Sequence, residues 1–347
     1  MTGSVGPRPA VSVSVARTTL NVAIFLAALM AVCATVRAML PFPEVKGILQ
    51  KWTHFRSHQG RYDAIFIGSS RVYRQIIPPQ FDERVKTAGG QEVHSFNFGM
   101  DALWPPESCF MLRKILDAKS PRLRWVFIEV MSIMTRIEHP GEVTRRLAYW
   151  HDAPHTWMAL REISGSNLPL LEKWTMLDAH GSIFLLRSTN HGRAAEWCGD
   201  RMMKKAKSKD DGDTDWIGAE GFVALENGGL TGQVKVDFER GVEKARGGLR
   251  PVPIQPVFRE ALDRMIAEVR SNGAEPILFL SPSVNPRENL AGLPKDVPIW
   301  SFRDLQRYPD LFEANYYHDA SHLNRGGAEI YTNLLADRFV EHLSERR

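Results

Sequence analysis

The sequence predicts an α/β fold, a parallel sheet with helices on both faces, behind one N-terminal apolar helix. Three observations predict it. The run Ala64–Ile67 holds four apolar residues and stops at Gly68, as a strand buried on both faces would. Val93–Phe98 stops at Gly99, Trp125–Val130 follows, and helical spacing fills the gaps, so this half reads β-α-β-α-β. After a long stretch without that alternation, the pattern resumes and runs to a terminal helix.

Taken in order, residues 1–17 form a short tail. Thr18–Val36 contains no charged residue and is just long enough to cross a bilayer as a helix. Arg8 and Arg17 precede it and no acidic residue occurs before Glu44, which places the N-terminus in the cytoplasm, although Arg37 weakens the contrast. A cleaved signal peptide is the competing reading. The apolar run exceeds an ordinary signal core and Val36-Arg37-Ala38 is a poor cleavage site, so an uncleaved anchor is expected. No second apolar run of that length follows, so the remaining chain is expected outside the cytoplasm.

Pro41 and Pro43 break the first helix, and 37–60 is a linker that includes an outer helix or none. Pro78-Pro79 opens a helix over about Gln80–Thr87, ended by Gly89-Gly90. Trp104–Glu107 starts another that runs to about Ala118, with Phe110, Leu112, Ile115 and Leu116 as its apolar face. The region 135–253 is read as an insertion or lid. Its charge run Lys204–Asp213 reads as a solvated loop. Val257–Ser271 is an amphipathic helix, Pro276–Leu280 a strand, Val297–Phe302 the last strand, and Asn324 caps a helix running to Leu343. Residues 61–134 and 254–347 thus form the core.

At 347 residues, 44% hydrophobic, the chain can build a sizeable core. Its net charge of +4 and pI near 8.9 come without Lys/Arg clusters interleaved with aromatics, which excludes a nucleic-acid surface. Of three cysteines, Cys33 lies in the apolar span. Cys109 and Cys198 are able to pair in an oxidising compartment, and neither lies in a metal-binding frame. His151 and His155 have zinc-ligand spacing, but Pro154 between them argues against a shared helix face. No cofactor or metal is expected.

Chemistry is expected at the carboxyl end of the first strand, where open parallel sheets bind ligands. Ser70 supplies a hydroxyl there, and a serine becomes nucleophilic when an oriented base removes its proton. Asp319 and His322 are three residues apart before the last helix, close enough to form that base and its partner. The N–H groups of Ser70 and Gly99 are the natural oxyanion donors. Arg71, Ser69, Asn97 and Ser281 are candidate substrate contacts. For Arg71, a role in charge stabilisation and a role in capping a turn weigh about equally, and for Ser281 a plain loop competes.

Ile65-Phe66-Ile67-Gly68-Ser69-Ser70-Arg71, Asn97-Phe98-Gly99 and Asp319-Ala320-Ser321-His322-Leu323-Asn324 with Gly326-Gly327 together resemble the blocks of the SGNH/GDSL hydrolase superfamily. The closer resemblance is to its membrane-tethered O-acyltransferase branch, which includes the D protein of teichoic-acid D-alanylation and the alginate O-acetylation proteins. That resemblance implies a three-layer αβα fold, Ser70 as nucleophile, His322 as base, Asp319 as its partner and Gly99 as oxyanion donor. It also implies a multi-spanning membrane acyltransferase as partner and a bacterial inner-membrane location with the catalytic domain on the periplasmic side. The superfamily's Gly-x-Asn-Asp block is missing, since Ile128-Glu129-Val130-Met131-Ser132 stands in its place. The acyl-transferring branch often lacks that block, which favours transfer to a polysaccharide hydroxyl over free hydrolysis. An esterase or deacetylase using the same triad is the first rival. A non-catalytic envelope assembly or polysaccharide-binding protein is the second.

Overall fold

The computed structural model describes residues 15–45, 47–132, 135–137, 145–191, 193, 216, 218–226, 228–248 and 250–346. Its centre is a parallel sheet of order β2-β1-β3-β5-β7, formed by β1 (Ala64–Ile67), β2 (Ser95–Asn97), β3 (Trp125–Glu129), β5 (Glu275–Leu280) and β7 (Ile299–Ser301). The two-residue strands β4 (Val252–Pro253) and β6 (Leu290–Ala291) pair beside it. β8 (Tyr317–Asp319) and β9 (His322–Leu323) form an antiparallel pair. Phe66 stands opposite Phe127, and Glu129 opposite Phe279, in the parallel registers. The chain steps from β1 outward to β2 and then back across β1 to β3. Connections therefore leave β1 and β3 on opposite sides, which opens a crevice at their carboxyl ends.

Alternation along the strands divides the core into two layers. Ile65, Ile67, Val126 and Ile128 pack with α2 (Ile48–His58), α5 (Glu107–Asp117) and α10 (Pro256–Ser271) on one face. Phe66, Phe127 and Phe279 pack on the other with α4 (Pro78–Gly89) and α11 (Arg325–Ser344). There the Phe66 and Phe127 rings stack at 4.6 Å, and Phe339 of α11 meets Phe127 edge-on at 5.3 Å. The sequence places these five strands; β1 has the expected bounds, β5 starts one residue earlier than Pro276, and β2, β3 and β7 are shorter than Val93–Phe98, Trp125–Val130 and Val297–Phe302. It adds α3 (Ser70–Gln75), a single short helix directly after Ser69 that the sequence reading treats as a turn. Pro78 at the start of α4, Asn272 after α10 and the Asn324 cap on α11 fall as expected.

Between β3 and α10 lie α6 (Arg145–Trp150), α7 (Ala153–Gly165), α8 (Leu170–Ser188) and α9 (Gly232–Arg246). Ile137, Ile163, Met176, Ala179 and Ile183 make a small third core there. The charge run Lys204–Asp213 and Cys198 lie outside the described residues. Cys109 is buried as a free thiol, 3.5 Å from the Met265 sulfur, and burial pushes it up to about 12.

α1 (Val15–Met39) overruns the expected span Thr18–Val36 at both ends and is long and apolar enough to cross a membrane. Among its described residues it is almost wholly exposed, with Cys33 its one buried side chain. An apolar helix left unpacked by its own protein suits a lipid environment.

On α4, Asp82 accepts hydrogen bonds from the Ser95 N–H at 3.0 Å and the Ser95 hydroxyl at 2.6 Å, closing the helix onto β2. Burial pushes this carboxyl up to about 7, since the Ser95 bonds only partly offset the loss of water and the Glu220 and Asp63 carboxylates add to it. The folded state therefore holds a proton that the unfolded chain releases, and stability is lost as pH rises from about 4 to 7. Asp82→Asn removes the charge while its amide oxygen still accepts from the Ser95 N–H and its NH2 donates to the Ser95 hydroxyl. We expect it to unfold at higher urea than the wild type at pH 7.5, with the difference vanishing near pH 4; an equal midpoint at pH 7.5 removes this account.

Candidate active site

Gly68 allows the turn that aims Ser70 out of the sheet. A Cβ there would lie 2.5 Å from Val72 Cγ2 and 2.6 Å from Glu129 Cβ, so the turn closes tightly only on glycine. Ser69 caps α3, its hydroxyl accepting from the Arg71 N–H at 3.2 Å. Ser70 is the first residue of that helix, where the backbone N–H has no partner within the helix itself.

The base arrives from the far end of the chain. β8 and β9 pair Asp319 with His322, and the Asn324 cap starts α11 directly afterwards. Ser70 Oγ lies 2.7 Å from His322 Nε2, although 252 positions separate the two residues. His322 Nδ1 lies 2.8 and 2.9 Å from the two Asp319 carboxylate oxygens. With the ring proton on Nδ1, the imidazole donates to Asp319 and accepts from the Ser70 hydroxyl. Burial alone would raise the Asp319 carboxyl. The N–H groups of Ser321 and His322 and the imidazole outweigh it and hold the carboxyl below its ordinary value. The arrangement can take a proton from Ser70 and hand it on, the requirement for a serine nucleophile. His322 and Asp319 remain partly exposed, so the site is shallow and open to water.

Around Ser70 runs a buried polar frame. Glu129, at the end of β3, accepts from the Ser69 N–H at 2.8 Å and the Ser281 hydroxyl at 2.7 Å. Arg71 makes a two-point ion pair with Glu288, at 2.6 and 3.0 Å, and Arg303 joins it at 3.2 Å. Burial alone would lower Arg71, but the Glu288 carboxylate more than compensates and raises it. Burial pulls Arg303 down to about 10 despite the same partner. Asn97 is fully buried. Its amide donates to the Val72 and Ile76 carbonyls, and its oxygen accepts from the Gly99 N–H at 2.8 Å.

The structure therefore brings Ser70, His322 and Asp319 together and gives Arg71, Ser69, Asn97 and Ser281 protein partners beneath them. We assign those four to the frame and give them no substrate contact. Gly99 packs against α3, where a Cβ would lie 2.4 Å from the Tyr73 nitrogen. Its N–H is held by Asn97, so it reaches an oxyanion only as a shared donor. His151 and His155 face different partners: His151 Nε2 lies 2.8 Å from His180 Nδ1, while His155 bonds Asp152. No group of three metal-ligating side chains occurs among the described residues.

Sequence reasoning missed Lys51, Glu129, Glu288 and Arg303. Two of them carried a visible signal. Lys51 lies on the apolar stripe of α2, between Ile48 and Phe55. Glu129 ends an otherwise apolar strand. Lys51 is 1% exposed, and Nζ donates to the carbonyls of Asn97 (3.0 Å), Gly99 (2.6 Å) and Gly221 (2.6 Å), 4.0 Å from the Tyr73 ring centre. Burial, with Arg74 adding, pushes its pKa well below the ordinary lysine value. Three donors for three carbonyls nevertheless match an ammonium group.

No protein-family model matches this chain, and no curated protein is significantly similar to it in sequence.

Lys51→Met strands three buried carbonyls at once. We expect a loss of about 2–4 kcal/mol in urea unfolding. A variant within 0.5 kcal/mol of wild type, by the same ordinary scatter of surface substitutions, would show that Lys51 does not brace the turn.

Proposed function

We propose that this chain is a membrane-anchored, extracytoplasmic serine O-acyltransferase with an SGNH-type core interrupted by the helical segment between β3 and α10. The observation that carries the reading is the unbroken line Ser70 Oγ, His322 Nε2, His322 Nδ1, Asp319, at 2.7 and 2.8 Å. In the proposed reaction His322 takes the Ser70 proton as Oγ attacks the donor's acyl carbon. The tetrahedral intermediate collapses when the imidazolium protonates the leaving group, giving acyl-Ser70. A polysaccharide hydroxyl then enters, loses its proton to His322 and takes the acyl group, and Ser70 regains its proton. The Ser70 N–H and the shared Gly99 N–H are the proposed oxyanion donors.

The open site supports a polymeric acceptor, which needs no closed pocket around it. The apolar, unpacked α1 supports the anchor. Arg8 and Arg17 ahead of it are the ground for an N-terminus in the cytoplasm, and the periplasmic catalytic domain and the multi-spanning acyltransferase as donor partner rest on the family resemblance alone. Water access to His322 favours a second reading, a carbohydrate esterase working through the same intermediate.

Full-length protein in detergent, given an activated acetyl ester, is expected to carry one acetyl adduct by intact mass. Ser70→Ala should carry none, and His322→Ala should form it about 10³-fold more slowly or worse. Asp319→Asn, which misorients the ring, should slow it about 10²–10⁴-fold. Oligosaccharide acceptors that discharge the adduct faster than water identify a transferase, and discharge by water alone identifies an esterase. An adduct that survives in Ser70→Ala ends both readings.

A further inference from the structure

α8 is apolar on two opposite faces. Met176, Ala179, His180 and Ile183 are buried against the helical segment. On the far side Leu170, Leu171, Trp174 and Leu185 are 72%, 80%, 64% and 62% exposed. At 100° per residue these four fall within one arc about 100° wide, with Leu170, Leu171 and Trp174 at the start of the helix and Leu185 near its carboxyl end. Four large apolar side chains exposed on one arc of a surface helix call for a covering phase.

The carboxyl end of α8 identifies that phase. Arg37, in the last turn of α1, donates to the Arg187 carbonyl at 2.8 Å and the Ser188 carbonyl at 2.6 Å. Asn190, just past α8, donates to the Cys33 carbonyl of α1 at 2.7 Å and accepts from Arg37. Four hydrogen bonds thus fasten the end of α8 to the stretch where the apolar run of α1 ends. In a membrane-anchored chain that stretch lies at the headgroup level, and Leu185 is one turn away from it. Exposed Asp178 interrupts the stripe midway, which suits headgroup depth and excludes the acyl core.

We propose that α8 lies along the outer surface of the bilayer, with Leu170, Leu171, Trp174 and Leu185 seated at the headgroup–acyl boundary. The inference rests on the reading of α1 as the anchor. Its effect would be to fix the tilt of the catalytic domain over the membrane, which a single flexible tether leaves free.

α1 contains no tryptophan, so lipid quenching is not read from the anchor, and among the nine tryptophans of the chain the change made by Trp174→Phe isolates α8. Full-length protein is reconstituted into liposomes of ordinary or dibrominated phosphatidylcholine, and flotation and tryptophan quenching are measured together. Wild type should float and be quenched by the brominated lipid, and Trp174→Phe should float equally with its quenching reduced by a third or more. Leu171→Glu/Leu185→Glu should also float, with a comparable drop. Flotation with quenching unchanged in both variants overturns the α8 inference and leaves the anchor standing. A doubled mass together with Trp174 shielded from lipid assigns the stripe to a second copy and overturns it as well. Failure of the wild type to float overturns the anchor and the inference together.

Discussion

The Glu129 carboxylate fixes where everything else at the site stands. It closes β3, takes the Ser69 N–H after β1 with one oxygen, and takes the Ser281 hydroxyl after β5 with the other. The carboxyl ends of three adjacent strands thereby converge on one buried anion. Such a group is tolerable only when its oxygens are bonded, and here each oxygen has a partner. Gly68 is a consequence of the same constraint, because the carboxylate and Val72 occupy the space a Cβ would need. Ser70 is aimed outward because the residues on either side of it, Ser69 and Arg71, are both held inward.

Charge balance extends that frame. Arg71 and Arg303 enter the same buried region as Glu129 and Glu288, two cations for two anions. The Arg71–Glu288 contact is two-pointed, a geometry that only a guanidinium supplies. An arginine so held cannot also serve as a free electrophile at the reacting centre. The electrostatic work in the proposed reaction then falls on backbone N–H groups, of which Gly99's is shared with Asn97. A site with one open donor, one shared donor and a half-exposed Asp319 is modestly preorganised. It is better matched to an activated acyl donor delivered in place than to the unaided cleavage of a stable ester.

The strands and the meeting of Ser70, His322 and Asp319 were legible in the sequence for physical reasons. Buried parallel strands are mostly apolar, which marks Ala64–Ile67 and, up to Glu129, Trp125–Val130. The serine, the glycine at 99 and the Asp319–His322 pair each follow or precede such an element at a fixed offset. The roles of the neighbouring polar residues were not legible. Arg71, Ser69, Asn97 and Ser281 are polar and near the nucleophile, which reads as substrate contact until their partners are known. Those partners, Glu288, Glu129 and the Val72 carbonyl, are set by tertiary packing and have no local signature. Helix α3 was hidden because six residues are too few to show a period, and Ser69 acts as its cap. The stripe on α8 was hidden for the opposite reason: apolar residues on both faces leave no amphipathic contrast to detect.

The apolar helix α1 and the Ser70 turn are linked through α2. The chain leaves α1 at Met39 and, within about ten residues, enters the helix whose Lys51 holds the carbonyls of Asn97 and Gly99. Asn97 in turn holds the last turn of α3, which begins at Ser70. Each link is a hydrogen bond between buried groups, so a rotation of α2 is resisted by the turn beside Ser70. An ordinary flexible linker would raise the effective concentration of the domain near a membrane partner while leaving its orientation random. The Lys51 bonds hold α2 itself to the sheet end beside Ser70. In the proposed reaction, orientation governs whether Ser70 Oγ meets an acyl carbon presented at the membrane surface, because small misplacements at the reacting atoms cost large factors in rate.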